Sequence, residues 1–429
     1  MGANASWLIG IRVFRMLVGI LVVGAVARYL GPEQFGVLSY AISLTAIFGA
    51  IATLGFDGII VRELVSRPEQ TPQILGTAFS LRLAGSMTAL LLVFLVSVCT
   101  QDPGEVIKLA VIVSVAFLPG SLEVIELWFQ KNVHAKHTVI ARITAVLIVS
   151  AMRLGLVYFK APLEAFAAMQ CADTLFGGLA LTLAFKARGQ KITAWRFDRV
   201  VARGLVRECW PLILSGFLIS VCTRVDQILV KKVLGDYDVG IYYSALRINE
   251  VWGFIPSAVL TTVYPFLVAK RSNAPEKYNA RLQTIFDLLT GLGYAIAIIT
   301  TVLGGFLIPL IFGVAYKSAV PILVIQAWTA PIVCSALARA QYMLIEKQTI
   351  LYTPIAFIWI AINIPLAIFL MGRLGITGAA FSVLISSTCS GYLTSFLFPV
   401  LRSSSLMQTK AFLLPFRLRK FIQTIKQLR

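Results

Sequence analysis

Twelve apolar stretches, most of about twenty residues or more, run through this chain of 429 residues, and no other feature restricts its fold so strongly. They occupy roughly 8 to 30, 36 to 60, 75 to 99, 106 to 130, 138 to 159, 162 to 185, 209 to 230, 239 to 268, 283 to 311, 320 to 345, 350 to 371 and 375 to 400. A helix of about 20 residues crosses roughly 30 Å of hydrocarbon, whereas spanning strands are half as long and alternate with period two. Inside a bilayer the backbone must satisfy its own hydrogen bonds, which leaves helices. The expectation is an all-α polytopic membrane protein with twelve transmembrane helices. Hydrophobic residues make up 58% and charged residues 13%, too little polar surface for a soluble protein of this length. A net charge of +19 would suit a nucleic-acid partner, but the cations fall between the apolar runs, so no nucleic-acid partner is expected.

Those cations set the orientation, because cytoplasmic loops carry the excess of Lys and Arg. In or flanking the loops after spans two, four, six, eight and ten, together with the C-terminal tail, lie 24 of the 38. The alternate loops hold 6, and the remaining 8 lie within spans. Both termini are therefore expected in the cytoplasm. The first span, with Arg12 and Arg15 ahead of an apolar run and Ala25-Val26-Ala27, mimics a signal peptide. Cleavage is rejected, because it would remove the partner of the seventh span in an internal repeat.

That repeat is Leu30-Gly31-Pro32-Glu33-Gln34-Phe35-Gly36-Val37-Leu38-Ser39-Tyr40-Ala41 against Leu234-Gly235-Asp236-Tyr237-Asp238-Val239-Gly240-Ile241-Tyr242-Tyr243-Ser244-Ala245, without a gap. Each copy follows the first span of a six-span half, so the halves have parallel topology, with a substrate path between them as the expected consequence. The organisation read from this is an N-lobe over 1–185, a basic cytoplasmic linker over 186–208, a C-lobe over 209–400 and a basic amphipathic cytoplasmic tail over 401–429. Trp195 and Phe197 among the linker cations, and Phe412, Leu413, Leu414, Phe416, Leu418, Phe421 and Ile422 among those of the tail, suit binding to anionic headgroups.

Arginines also sit inside the apolar stretches: Arg12, Arg15 and Arg28 in the first, Arg153 in the fifth, Arg224 in the seventh and Arg247 in the eighth. Charge in hydrocarbon costs a few kcal/mol or more, so such residues face a bundle interior or a wet cavity. A transport protein with a cationic interior follows. Structural roles compete: Arg12 and Arg15, on one helical face, can snorkel to headgroups. Arg28 suits an interfacial anchor, and Arg224 with Asp226 and Arg247 with Glu250 suit an ion-pair cluster. Seven acids within spans nearly balance the arginines, so a cationic cavity needs uneven placement, and the first span, with three arginines and no acid, is the clearest case.

Outward transport of a charged substrate needs a driving force, and a membrane carboxylate that alternates protonation is the usual device. Asp173, near the middle of span six with no opposite charge one turn away in its own helix, is the first candidate for H+ or Na+ coupling. Asp57 follows, with Asp226 and Glu250 completing the set. The six cysteines are scattered singly, and His134 and His137 lack a third ligand nearby, so neither a metal site nor a cofactor is expected. No phosphate-binding loop, His-Glu-x-x-His or Gly-x-Ser-x-Gly motif occurs, and no residue is assigned a catalytic role.

The run Ala27-Arg28-Tyr29-Leu30-Gly31-Pro32-Glu33-Gln34-Phe35-Gly36, then Leu54-Gly55-Phe56-Asp57-Gly58 and Arg62-Glu63-Leu64, resembles the start of the Wzx-type polysaccharide flippases. Asp226-Gln227, Val239-Gly240-Ile241-Tyr242, Ser244-Ala245-Leu246-Arg247 and Glu250-Val251-Trp252-Gly253-Phe254-Ile255-Pro256 continue the likeness. It implies membership of the multidrug/oligosaccharidyl-lipid/polysaccharide (MOP) exporter superfamily, with a MATE-like arrangement of two lobes and alternating access. The implied function is a flippase, not an enzyme, for undecaprenyl-diphosphate-linked oligosaccharide in the bacterial inner membrane, serving O-antigen, capsule or exopolysaccharide synthesis. Implied partners are that lipid-linked substrate, membrane lipids, a counter-ion and the polysaccharide polymerase and chain-length machinery. The family's cationic cavity maps onto Arg12, Arg15 and Arg247, with Arg28 at the outer end. Where relatives often carry an acid before the first arginine, this chain has Gly10. Guanidinium forks match phosphate oxygens bidentately, which makes the assignment chemically sensible. A MATE-like drug or cation antiporter is the alternative reading, although it wants an acidic cavity. A polymerase or ligase would need a large outward loop, and the longest here is about ten residues by the span limits above.

Overall fold

The computed structural model describes the backbone of residues 2–132, 135–260 and 275–416, with side chains except at 2–14, 135–138, 140–141, 275–277 and 416. His134, the side chains of Arg12 and His137, and residues 417–429 of the expected tail lie outside the described residues. Among the described residues there is no strand, as the apolar runs require. Nine segments among the described residues are long and apolar enough to cross a membrane, which makes this a multi-pass membrane protein. The first, Arg15–Ser66, holds the expected spans one and two, while the expected spans 138 to 159 and 239 to 268 include residues outside the described set.

By internal contacts the chain forms two compact units, Met1–Ile228 and Leu229–Arg429. The first contains α1 (Gly2–Thr53), α2 (Asp57–Ser66), α3 (Thr71–Cys99), α4 (Gly104–Ser114), α5 (Val124–Lys131), α6 (Ala135–Tyr158), α7 (Leu163–Ala187) and most of α8 (Arg199–Leu234). Spans one and two are one 52-residue helix in name only, because Gly31 (φ 71°, ψ 169°) interrupts it ahead of Pro32. The repeat partner Gly235 (φ 101°, ψ −175°) adopts the same conformation before the next helix. That corner of backbone space is open essentially to glycine alone, so the repeat read from sequence is a repeated backbone device. The fourth span is α4 and α5 joined by short turns around Pro119. A core of Phe56, Ile60, Leu64, Leu75, Phe129 and Phe185 sits at the end that the charge count places in the cytoplasm.

The expected linker divides in two. Residues 199–208 form the first turns of α8, capped by the Asp198 carboxylate, which accepts from the backbone N–H of Val200 at 2.7 Å and Val201 at 3.1 Å. Ahead of that cap, Trp195 packs between Phe79 and Phe185, with ring centroids 5.6 and 6.1 Å away. The linker is thus stapled into the first unit's core.

The second unit continues with α9 (Asp236–Trp252), α10 (Pro275–Phe312), α11 (Ala319–Ala327), α12 (Ala330–Ile345), α13 (Tyr352–Leu374), α14 (Ile376–Thr388) and α15 (Arg402–Phe412). A π-type turn, Cys389–Leu393, follows α14. Its core includes Leu282, Phe286, Leu289, Cys334 and Ala338. The start of the expected tail is docked by its polar face: Ser404, Ser405 and Gln408 of α15 are buried. Gln408 accepts from Ser395 Oγ at 2.6 Å and donates to the Gly391 carbonyl at 3.0 Å.

Candidate functional site

The second half of α1, with α3, the broken fourth span and α7, encloses a cavity of about 210 Å³ in the first unit. Its wall is apolar at Ile42, Val113, Ala116 and Phe117, and polar at Thr45, Thr53, Arg82, Ser86, Glu123, Gln170 and Thr174. Each helix brings one or two polar groups on an otherwise apolar surface, the common pattern of a small-molecule pocket.

Ion pairs frame this cavity. Arg82 is 3% exposed, paired with Asp57 and 5.6 Å from the Phe56 ring centroid. Arg142 forks between Glu123 and Glu126, each at 2.7 Å. On α7, Gln170 and Thr174 lie one turn apart and line the cavity, and Arg153 Nη2 makes a long 3.5 Å contact to Gln170 Oε1. Asp173 stands next to Thr174, half-buried, and has no hydrogen-bond or ion-pair partner among the described residues.

In the second unit, Arg247 Nη1 donates to Glu250 Oε2 at 2.8 Å and Nη2 to the Tyr243 hydroxyl. The guanidinium lies 4.7 Å from the Tyr243 ring centroid and its Nε–H has no acceptor. Arg247 is thus held by an acid and an aromatic ring with donor capacity left over. Of the other expected site residues, Arg15 and Arg224 are half-buried, Arg28 is exposed and Asp226 is buried.

The expected carboxylate set therefore divides by environment. Asp57 and Glu250 are each engaged by an arginine, whereas Asp173 is not. Because Arg82 and Arg247 each carry one acid partner and Arg142 carries two, those parts of the interior are neutral or carry a net negative charge. The first span remains the segment with arginines and no acid of its own.

Sequence reasoning did not assign the Arg142 fork to the site, although Glu123 and Glu126 at i and i+3 share one helical face and were a readable signal. It also missed Asp102. Read as loop, that residue is buried and accepts from Tyr40 Oη and Thr100 Oγ1, both at 2.9 Å.

Comparison with solved structures gives the fold. An inward-facing MATE family multidrug resistance transporter of the MOP superfamily superposes with a TM-score of 0.71 at 14% identity, over 92% of this chain and 96% of that one. The lipid II flippase MurJ, in an inward closed conformation, gives 0.69 at 13% identity over 97% and 92%. A mutant of the Vibrio cholerae MATE transporter VcmN gives 0.58 at 15% identity over 96% and 97%. No curated protein matches the sequence. The sequence profile described as "Polysaccharide biosynthesis protein" matches residues 25–321, more than half of the chain, and on that match this protein belongs to the polysaccharide biosynthesis protein family.

Proposed function

We propose that this protein is a flippase that carries undecaprenyl-diphosphate-linked oligosaccharide repeat units from the cytoplasmic to the outer leaflet of the bacterial inner membrane. It acts by alternating access and serves O-antigen, capsule or exopolysaccharide assembly. The observation that carries this reading is one chain joining a polysaccharide biosynthesis family profile to a fold shared with membrane translocators. Making a surface polysaccharide requires a saccharide built on a lipid to cross the membrane, and a translocator in that synthesis is suited to this step.

The geometry supplies fitting chemistry. Hydroxyl and amide groups of Thr45, Ser86, Gln170 and Thr174 stand where water-like partners for sugar hydroxyls are needed in an apolar frame. Arg247, oriented by Glu250 and Tyr243, keeps its Nε–H for a phosphate oxygen. Arg15 supplies a further cation in the first unit. Asp173, lacking an arginine partner, is the group whose protonation or sodium binding couples transport to an ion gradient.

The test is depletion of the protein in its host, followed by analysis of the lipid-linked oligosaccharide pool. The expected result is accumulation of the complete lipid-linked unit with loss of surface polysaccharide, both restored by the intact protein. A normal pool with sensitivity to cationic drugs would instead support the antiporter reading, to which the MATE likeness also points.

A further inference from the structure

Arg339 on α12 is 3% exposed and lies within a membrane-spanning segment. Its Nη1 donates to Thr394 Oγ1 at 2.9 Å and Ser395 Oγ at 2.8 Å, and its Nη2 donates to the Ser390 carbonyl at 3.0 Å. All three acceptors are neutral. No carboxylate lies within ion-pair distance among the described residues, and two of the five N–H groups, including Nε–H, have no acceptor. Ser390 belongs to the π-type turn Cys389–Leu393, a helix irregularity that frequently marks functional sites.

This guanidinium borders a cavity of about 290 Å³, in which it is the only charged lining residue among the described residues. Ser387, Ser390, Tyr352 and Trp359 add polar groups to a wall that is otherwise apolar, and Val333 and Tyr352 are exposed. A buried cation with unfilled donors and no counter-charge calls for an anion. Two unfilled guanidinium N–H groups suit the oxygens of a phosphate. An apolar approach favours a phosphate arriving on a hydrocarbon chain, because a free ion would have to shed its hydration there.

We propose that the Arg339 cavity binds the phosphate of an anionic lipid, as a site separate from the polar cavity of the first unit. Through Ser395, which donates to Gln408, occupancy also steadies the docked helix α15.

The test is native mass spectrometry of the delipidated full-length protein titrated with phosphatidylglycerol, a prenyl diphosphate, uncharged diacylglycerol and inorganic phosphate. Retention of either phosphate-bearing lipid is expected, about tenfold weaker in Arg339→Gln because a charge-assisted contact is lost. Ala336→Leu narrows the cavity and leaves the three Arg339 bonds in place. The same loss is expected there, and this variant decides the matter if Arg339→Gln does not fold. Equal retention by the intact and Ala336→Leu proteins, equal retention of diacylglycerol, or binding of inorganic phosphate alone would overturn the proposal.

Discussion

Arg142 holds two carboxylates that, without it, would face each other one helical turn apart. The three side chains are partly exposed, so the cost of removing the cation is smaller than for a fully buried pair. Arg142→Leu is expected to destabilise the protein by about 2 kcal/mol, with Glu126→Gln costing less because a one-to-one pair remains. Thermal unfolding in detergent measures both, and an unchanged midpoint in Arg142→Leu would mean that the fork carries no stability. At Asp173 the expected effect is functional. Asp173→Asn should fold and melt normally yet transport at the same rate with or without an imposed proton or sodium gradient. A variant that still responds to the gradient would place coupling on another carboxylate. At this scale the sequence was read unevenly. The isolation of Asp173 within its own helix was visible, because it depends on neighbours three and four residues away. The pairing of Arg82 with Asp57, 25 residues apart, and the three-way contact at Arg142 depend on how helices meet, which the pattern of charges does not encode.

At the level of elements, the turns between helices carry the more informative chemistry. Gly31 and Gly235 share a backbone conformation that costs other residues about 1–3 kcal/mol, so Gly31→Ala and Gly235→Ala should each lower the unfolding midpoint by comparable amounts. A large loss at one and none at the other would deny the equivalence of the two turns. Gly76 tests the linker staple: a Cβ there would stand 2.6 Å from both the backbone nitrogen and the carbonyl oxygen of Arg196. Gly76→Ala should therefore push the 192–198 segment away from α3 and speed its cleavage by trypsin, and unchanged cleavage would show that the staple yields without cost. Helix positions were legible because hydrocarbon thickness imposes its own length on the sequence. The linker was less so. Trp195 among cations reads as a membrane-surface residue, and only the convergence of Phe79 and Phe185 from two distant helices draws it inward. The start of the tail was hard to read for the opposite reason, since polar Gln408 is buried where Ser395 and Gly391 provide partners, and Ser404 is buried with its hydroxyl donating to the Leu401 carbonyl.

For the whole molecule, the all-helical membrane fold and the shared glycine device follow from the apolar runs and from a repeat whose two copies begin 204 residues apart, at Leu30 and Leu234, which are global features of the sequence. The identity of the cargo is not a property of the fold, because drug transporters and a lipid II flippase share it. The direct measurement is flipping of a fluorescent undecaprenyl-diphosphate oligosaccharide in proteoliposomes containing the intact protein, Arg15→Ala or Arg247→Ala. The account expects the intact protein to expose the labelled lipid on the opposite leaflet. Each variant should be slower by about tenfold or more, as befits loss of one charge-assisted phosphate contact, with its melting unchanged. Failure of the intact protein to flip the lipid, together with gradient-dependent efflux of a cationic dye, would contradict the account and make those arginines structural.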